Sequence, residues 1–151
     1  MFLGIPKPVF ILGGAGLLPF VWGVATALHA GLSEWTLSTI GPRFIGQGVQ
    51  FFYGTVILSF MSGVIWGFSA KGEQNQAAVG YALSVVPALW AFFMIDSSSE
   101  DARRNLIAGF LGLLLIDWYF WRLQLAPPWW MRLRFSLTFM VILCLLFGGM
   151  A

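Results

Sequence analysis

Charge is scarce in this chain: Asp, Glu, Lys and Arg make up only 9% of its 151 residues, where a soluble domain usually carries about 25%. Cysteine and histidine occur once each, as Cys144 and His29. One cysteine excludes an internal disulfide and a cysteine-paired metal centre. One histidine supplies a single ligand where a metal site needs several. Cys144 therefore reads as a small apolar side chain and His29 as an interfacial polar residue. The net charge of +2 is too small and too scattered for a nucleic-acid footprint, which needs a clustered basic face. No paired carboxylates, no nucleophile with its base and no ligand cluster are present, so neither an enzyme nor a bound cofactor is expected.

What the chain does have is apolar runs. Hydrophobic residues reach 59% and aromatics 17%, more than one soluble core can hide. The runs predict an all-α, polytopic transmembrane helical bundle. Its five transmembrane helices fall at about 9–30, 43–70, 77–95, 105–123 and 129–148, within a single transmembrane domain spanning 1–151. The first run would rise roughly 33 Å as a helix, enough to cross the hydrocarbon layer. Ala25-Thr26-Ala27 imitates a signal-cleavage site, but the run exceeds a typical signal core and is expected to be retained.

The organising stretch is Tyr53 to Gly67. Thr55, Ser59, Gly63 and Gly67 recur every four residues and form a stripe of small side chains on one helix face. The first span carries a second stripe, Ala15, Pro19, Gly23 and Ala27, with a kink expected at Pro19. The two shallow faces are expected to pack together, although the stripe on the second span could equally face a neighbouring protein. Gln47, Gln50, Thr55, Ser59 and Ser62 add a polar vein suited to hydrogen bonds between helices.

The connections are polar. Gly31 to Pro42 reads as a loop with Trp35 as interface anchor, and Lys71 to Gln76 as a turn. Asp96 to Arg104 reads as a charged loop capping the next helix, and Leu125-Ala126-Pro127-Pro128 as a break. Pro87 predicts a kink in the third span. With five crossings, Lys7, Lys71, Arg122, Arg132 and Arg134 fall on the N-terminal side, and only Arg43, Arg103 and Arg104 on the other. The positive-inside rule then puts the N-terminus in the cytoplasm of a bacterial inner membrane.

Asp117 is the one acidic residue deep in an apolar run, a position that raises the question of ion or proton handling. An antiparallel hairpin around Ala126-Pro127 would place it level with Arg134, so a structural ion pair is the expected role. Lys71, Arg122 and Arg132, with Trp129 and Trp130 beside them, could hold an anionic lipid head group.

Several of these segments carry a family likeness. Leu17-Leu18-Pro19-Phe20, the run Tyr53-Gly54 through Ser62-Gly63 to Trp66-Gly67, Ser84-Val85-Val86-Pro87, and Pro127-Pro128-Trp129-Trp130 with Arg132-Leu133-Arg134 are its residues. Together they resemble a bacterial membrane-protein family of unknown function, DUF3429, which also includes mitochondrial transmembrane protein 69. The resemblance implies a small polytopic inner-membrane protein and supplies no reaction or ligand. The family often has Tyr where this chain has Trp130.

The expected function is that of a non-catalytic accessory or assembly subunit of a larger respiratory or photosynthetic membrane complex, with membrane lipids and that complex as partners. The alternatives are a small transporter or channel using Asp117, or a lipid- or quinone-binding module.

Overall fold

The computed structural model describes residues 4–95 and 100–149. Seven α-helices and one 3₁₀ turn account for its regular structure. They are α1 (Lys7–Ala15), α2 (Leu18–Leu28), α3 (Ala30–Thr39), the 3₁₀ turn Pro42–Phe44, α4 (Gly46–Ser69), α5 (Gln74–Met94), α6 (Glu100–Arg122) and α7 (Trp130–Gly148). Of the charged loop expected from Asp96 to Arg104, residues 96–99 lie outside the described residues, and the rest is helix, because α6 begins at Glu100 and not at Asn105.

The first expected span is a broken helix. Pro19 has no N–H, and its ring would strike the carbonyl one turn back at Ala15. The chain therefore leaves the helix at Gly16 and Leu17 and restarts at Leu18, where a proline in the first turn costs nothing. Counted through the break, Lys7–Leu28 is long and apolar enough to cross a membrane, as are Gly46–Ser69, Gln74–Met94 and Trp130–Gly148. The other expected span is α6. Its charged start and Asp117 lower its hydropathy, but buried residues recur along it at Ala102, Leu106, Phe110, Leu113, Asp117 and Phe120. That three-to-four-residue rhythm sets α6 lengthwise against α4, α5 and α7.

Gly31 to Pro42 differs from the expected loop, because most of it is helix α3. His29 caps it, its Nδ1 accepting the Leu32 N–H at 3.2 Å, and the buried Thr36 hydroxyl donates to the Leu32 carbonyl at 2.7 Å.

Lipid tails are as apolar as leucine, so burial of oily side chains cannot hold these helices together. Phe92, Phe93 and Leu12 are each more than 70% exposed, which water would not tolerate and acyl chains do. Close approach and interhelical hydrogen bonds must do the holding. The α4–α5 pair is the most extensive, and Pro87 explains part of it. Proline breaks the hydrogen-bond ladder of α5, and the Ala88 N–H crosses to Ser62 Oγ on α4 at 2.9 Å. Gly80 lets α5 close on α4 as well, since a Cβ there would stand 2.6 Å from Ser69 Oγ.

The α6–α7 hairpin turns on Gln124, which has φ 58°, the left-handed value usual for glycine after a helix. The Leu125 N–H donates to the Phe120 carbonyl at 3.1 Å and the Gln124 N–H to the Trp121 carbonyl at 3.0 Å. This Schellman geometry closes α6, and Ala126-Pro127-Pro128 leads into α7.

Candidate functional site: a buried polar seam and its cleft

Two buried polar centres cross the bundle. The first is Gln50 on α4, fully buried between two glycines. A Cβ on Gly23 would come within 2.5 Å of its Cγ, and one on Gly148 within 2.6 Å of its Oε1. Its Nε2 donates to the carbonyls of Phe20 on α2 and Cys144 on α7, each at 3.0 Å. One amide thus joins three helices. A turn away, Gly46 opens α4 at φ +52° and gives its N–H to the Thr26 hydroxyl of α2 at 2.9 Å. Within the polar vein, Gln47 also reaches across to the Gly148 carbonyl, whereas Thr55 and Ser59 return their hydroxyls to their own helix at the Phe51 and Thr55 carbonyls.

The second centre is Asp117. Arg134 Nε donates to its Oδ2 at 2.6 Å, and Trp130 Nε1 donates to its Oδ1 at 2.8 Å. Both carboxylate oxygens are therefore engaged. Trp130, placed among the lipid-facing residues from sequence, instead turns its indole inward. It and Arg134 stand one turn apart on α7 and share a face, so the partner of one is in reach of the other. That four-residue spacing was the signal available in the sequence. The other proposed head-group residues do lie outward: Lys71, Arg122 and Arg132 are exposed and Trp129 is half-buried. The Lys71 ammonium sits 5.6 Å over the Phe68 ring and the Arg122 guanidinium 5.4 Å over the Trp118 ring.

The small-residue stripes do not meet as expected. On α4, Ser59, Gly63 and Gly67 are exposed and Thr55 is half-buried, and a Cβ on Gly63 or Gly67 would touch nothing within 4 Å. The helix is rotated so that its inner line is Gly54, Leu58, Met61, Ile65 and Ser69, where bulky Leu58, Met61 and Ile65 alternate with small residues packed against α5 and α6. The close approach passes instead to Gly54 against Leu106, Gly80 against Ser69 and Gly109 against Leu58 and Trp90. On the first span only the lower half behaves as a packing face. Gly23 is buried against Gln50 and Ala27 lies beside Gly46, while the break turns Ala15 outward and leaves Pro19 half-buried.

The break also opens a cleft. Gly13, Gly16 and Leu17 on one wall, Tyr53 and Ile57 on another, and Leu133 to Val141 on α7 enclose about 530 Å³. Its rim includes Leu12, Val56 and Phe60, all exposed. Arg134 and Thr138 line it from α7. Arg134 is 5% exposed and Thr138 3%, yet Arg134 Nη2 and Thr138 Oγ1 make no hydrogen bond. Thr138 was not anticipated from sequence. A second hollow of about 560 Å³ lies between α2 and α4, with Arg43 over the Phe52 ring at 4.7 Å. Among the described residues no three His, Cys, Asp or Glu side chains gather as a metal site, and His29 is occupied in capping α3.

Membrane-length apolar helices, joined through buried amide, hydroxyl and ion-pair contacts, define an all-α multi-pass membrane protein. The chain belongs to the family described as protein of unknown function, DUF3429, whose model matches residues 5–150. It is also 33% identical over 145 residues to transmembrane protein 69 of Xenopus tropicalis, an alignment covering 93% of this chain and 53% of that protein. The chain thus spans about half the length of this curated relative. No solved structure matches it.

Proposed function

We propose that the chain is a non-catalytic, multi-pass protein of the bacterial inner membrane, with a cytoplasmic N-terminus and α6 as its fifth crossing. In this reading it serves as an accessory or assembly subunit of a larger respiratory or photosynthetic complex. The observation that carries the reading is the unfilled flank of α4. Ser59, Gly63 and Gly67 offer a shallow face to the bilayer, and adding a Cβ to either glycine would meet nothing within 4 Å. In lipid, such faces are where a second helix approaches closely enough for dispersion and Cα–H contacts to hold it. Within the chain, the glycines at 23, 54, 80 and 109 are already filled by a neighbour.

The transporter alternative draws less support. Asp117 has both oxygens bonded, to Arg134 and Trp130, and an ion or proton carrier at that position would have to break one of these contacts.

The test is purification in a mild detergent from membranes grown under conditions that induce each complex. Co-purification of the same membrane subunits is expected, and Gly63→Leu should abolish it while leaving the chain folded. Isolation of the protein alone under every condition would overturn the proposal.

A further inference from the structure

The hollow of about 560 Å³ between α2 and α4 has one charged end. Arg43, on the 3₁₀ turn that precedes α4, lines its mouth, and its walls are mostly apolar or aromatic, among them Leu18, Val21, Trp22, Phe52 and Val56. Trp22 ties that turn to α2, its Nε1 donating to the Phe44 carbonyl at 3.1 Å. The Arg43 guanidinium rests over the Phe52 ring at 4.7 Å and the Phe44 ring at 5.9 Å, contacts that position the cation without using its N–H groups. It is exposed, and among the described residues no carboxylate pairs with it, Glu34 on the adjoining α3 included. A guanidinium is always charged. The chain thus sets a permanent cation at the head of an oily hollow and supplies no anion for it.

The depth of the hollow matches one leaflet. From Gly46 to Val56 the helix α4 rises about 15 Å at 1.5 Å per residue, half of a hydrocarbon layer roughly 30 Å thick. Arg43 stands just before that helix, at the level of the head groups, and Val56 near its middle. Leu18, Val21, Phe52 and Val56 are all exposed, so the hollow is open sideways to acyl chains.

Charge at one end and apolar walls below it select an amphiphile. A soluble anion would leave the walls unfilled, and a neutral lipid would leave the guanidinium without a counter-charge. A zwitterionic phospholipid brings its own cation to compete for its phosphate. An anionic phospholipid meets both demands, because a guanidinium can pair with a phosphate through two parallel N–H···O bonds.

We infer that this hollow holds one anionic phospholipid, its phosphate on Arg43 and one acyl chain lying between α2 and α4 down to Val56. The site uses none of the residues of the docking face on α4.

The test uses the full chain in detergent micelles with a phosphatidylglycerol that carries a diazirine on its acyl chain, photolysed at sub-saturating lipid and mapped by peptide mass. Label should concentrate in residues 18–25 and 49–56. Unlabelled phosphatidylglycerol should compete it away, and phosphatidylcholine and oleate far less. Arg43→Gln removes an exposed side chain that makes no hydrogen bond and should reduce labelling of these segments about tenfold, the loss of one charge-assisted contact. Arg43→Lys should keep most of it. Ala25→Phe, which fills the hollow from a half-buried wall position, should abolish labelling there while the unliganded unfolding midpoint stays within a few degrees. Label spread along every lipid-facing helix and competed equally by phosphatidylcholine, as a passing shell of lipid would give, overturns the inference. So does competition by oleate with none by phosphatidylglycerol, or labelling that Arg43→Gln and Ala25→Phe both leave unchanged.

Discussion

Arg134 and Asp117 meet across 2.6 Å inside the bundle, with 5% and 0% of their surfaces exposed. Each charge is tolerable there because of the other. Arg134→Met strands a carboxylate, and Asp117→Leu strands a guanidinium, so each alone should destabilise the fold by about 3 to 5 kcal/mol. The double variant removes both charges and should cost clearly less than the sum of the two. Denaturant unfolding in micelles measures all three. Additive costs would mean that the two residues act independently.

Gly23 and Gly63 should respond in opposite ways to one added methyl group. At Gly23 the new Cβ would stand 2.7 Å from the Gly46 carbonyl oxygen, a backbone atom that cannot step aside. Gly23→Ala should therefore cost about 1 to 3 kcal/mol by overpacking. At Gly63 there is open space, and alanine is the better helix former by about 1 kcal/mol. Gly63→Ala should leave the unfolding midpoint unchanged or slightly raised.

Gln50 gives two hydrogen bonds that no other side chain replaces, to Phe20 and Cys144. At about 1 kcal/mol each in a bilayer setting, Gln50→Leu should lose roughly 2 kcal/mol, and amide exchange should quicken in α2 and at the end of α7. Gln47→Leu breaks only the longer 3.4 Å contact and should cost less. Equal costs at the two positions would remove Gln50 from its central place.

Gln124 holds a left-handed conformation, φ 58°, in which its own Cβ is crowded. Glycine has no such penalty, and Gln124→Gly should stabilise the α6–α7 hairpin by about 1 kcal/mol. A lower unfolding midpoint would show that the Gln124 side chain contributes a contact of its own.

Much of this architecture was legible because lipid imposes simple rules. Of the five spans expected from apolar length, four are long and apolar enough to cross a membrane, and Pro19 marked where the first of them breaks. Asp117 and Arg134 were found by counting residues from the Ala126-Pro127 bend, since an antiparallel hairpin fixes what lies level. The rotation of α4 was not legible. Small residues at four-residue spacing identify a face that can be approached closely without saying by what. Here Gly54, Leu58 and Ile65 won the inward position through contacts with α5 and α6 that sequence periodicity does not contain. α3 was missed because Gly31 and the run of Ser and Thr resemble a loop, while its cap is local but comes from His29, a residue type outside the usual Ser, Thr, Asp and Asn N-caps. The orphaned Thr138 hydroxyl gave no sequence signal, because its burial follows from how α7 packs in the bundle and not from the residues beside it in the chain.

The most direct measurement of the docking account is photocrosslinking in intact membranes. A photoreactive phenylalanine derivative at position 66, beside the Gly63 and Gly67 face, is compared with the same group at positions 92 and 139, exposed on α5 and α7. The account predicts one discrete crosslinked membrane polypeptide from position 66, lost on Gly63→Leu, and none shared by the other two positions. Crosslinks to lipid alone from all three positions would contradict it.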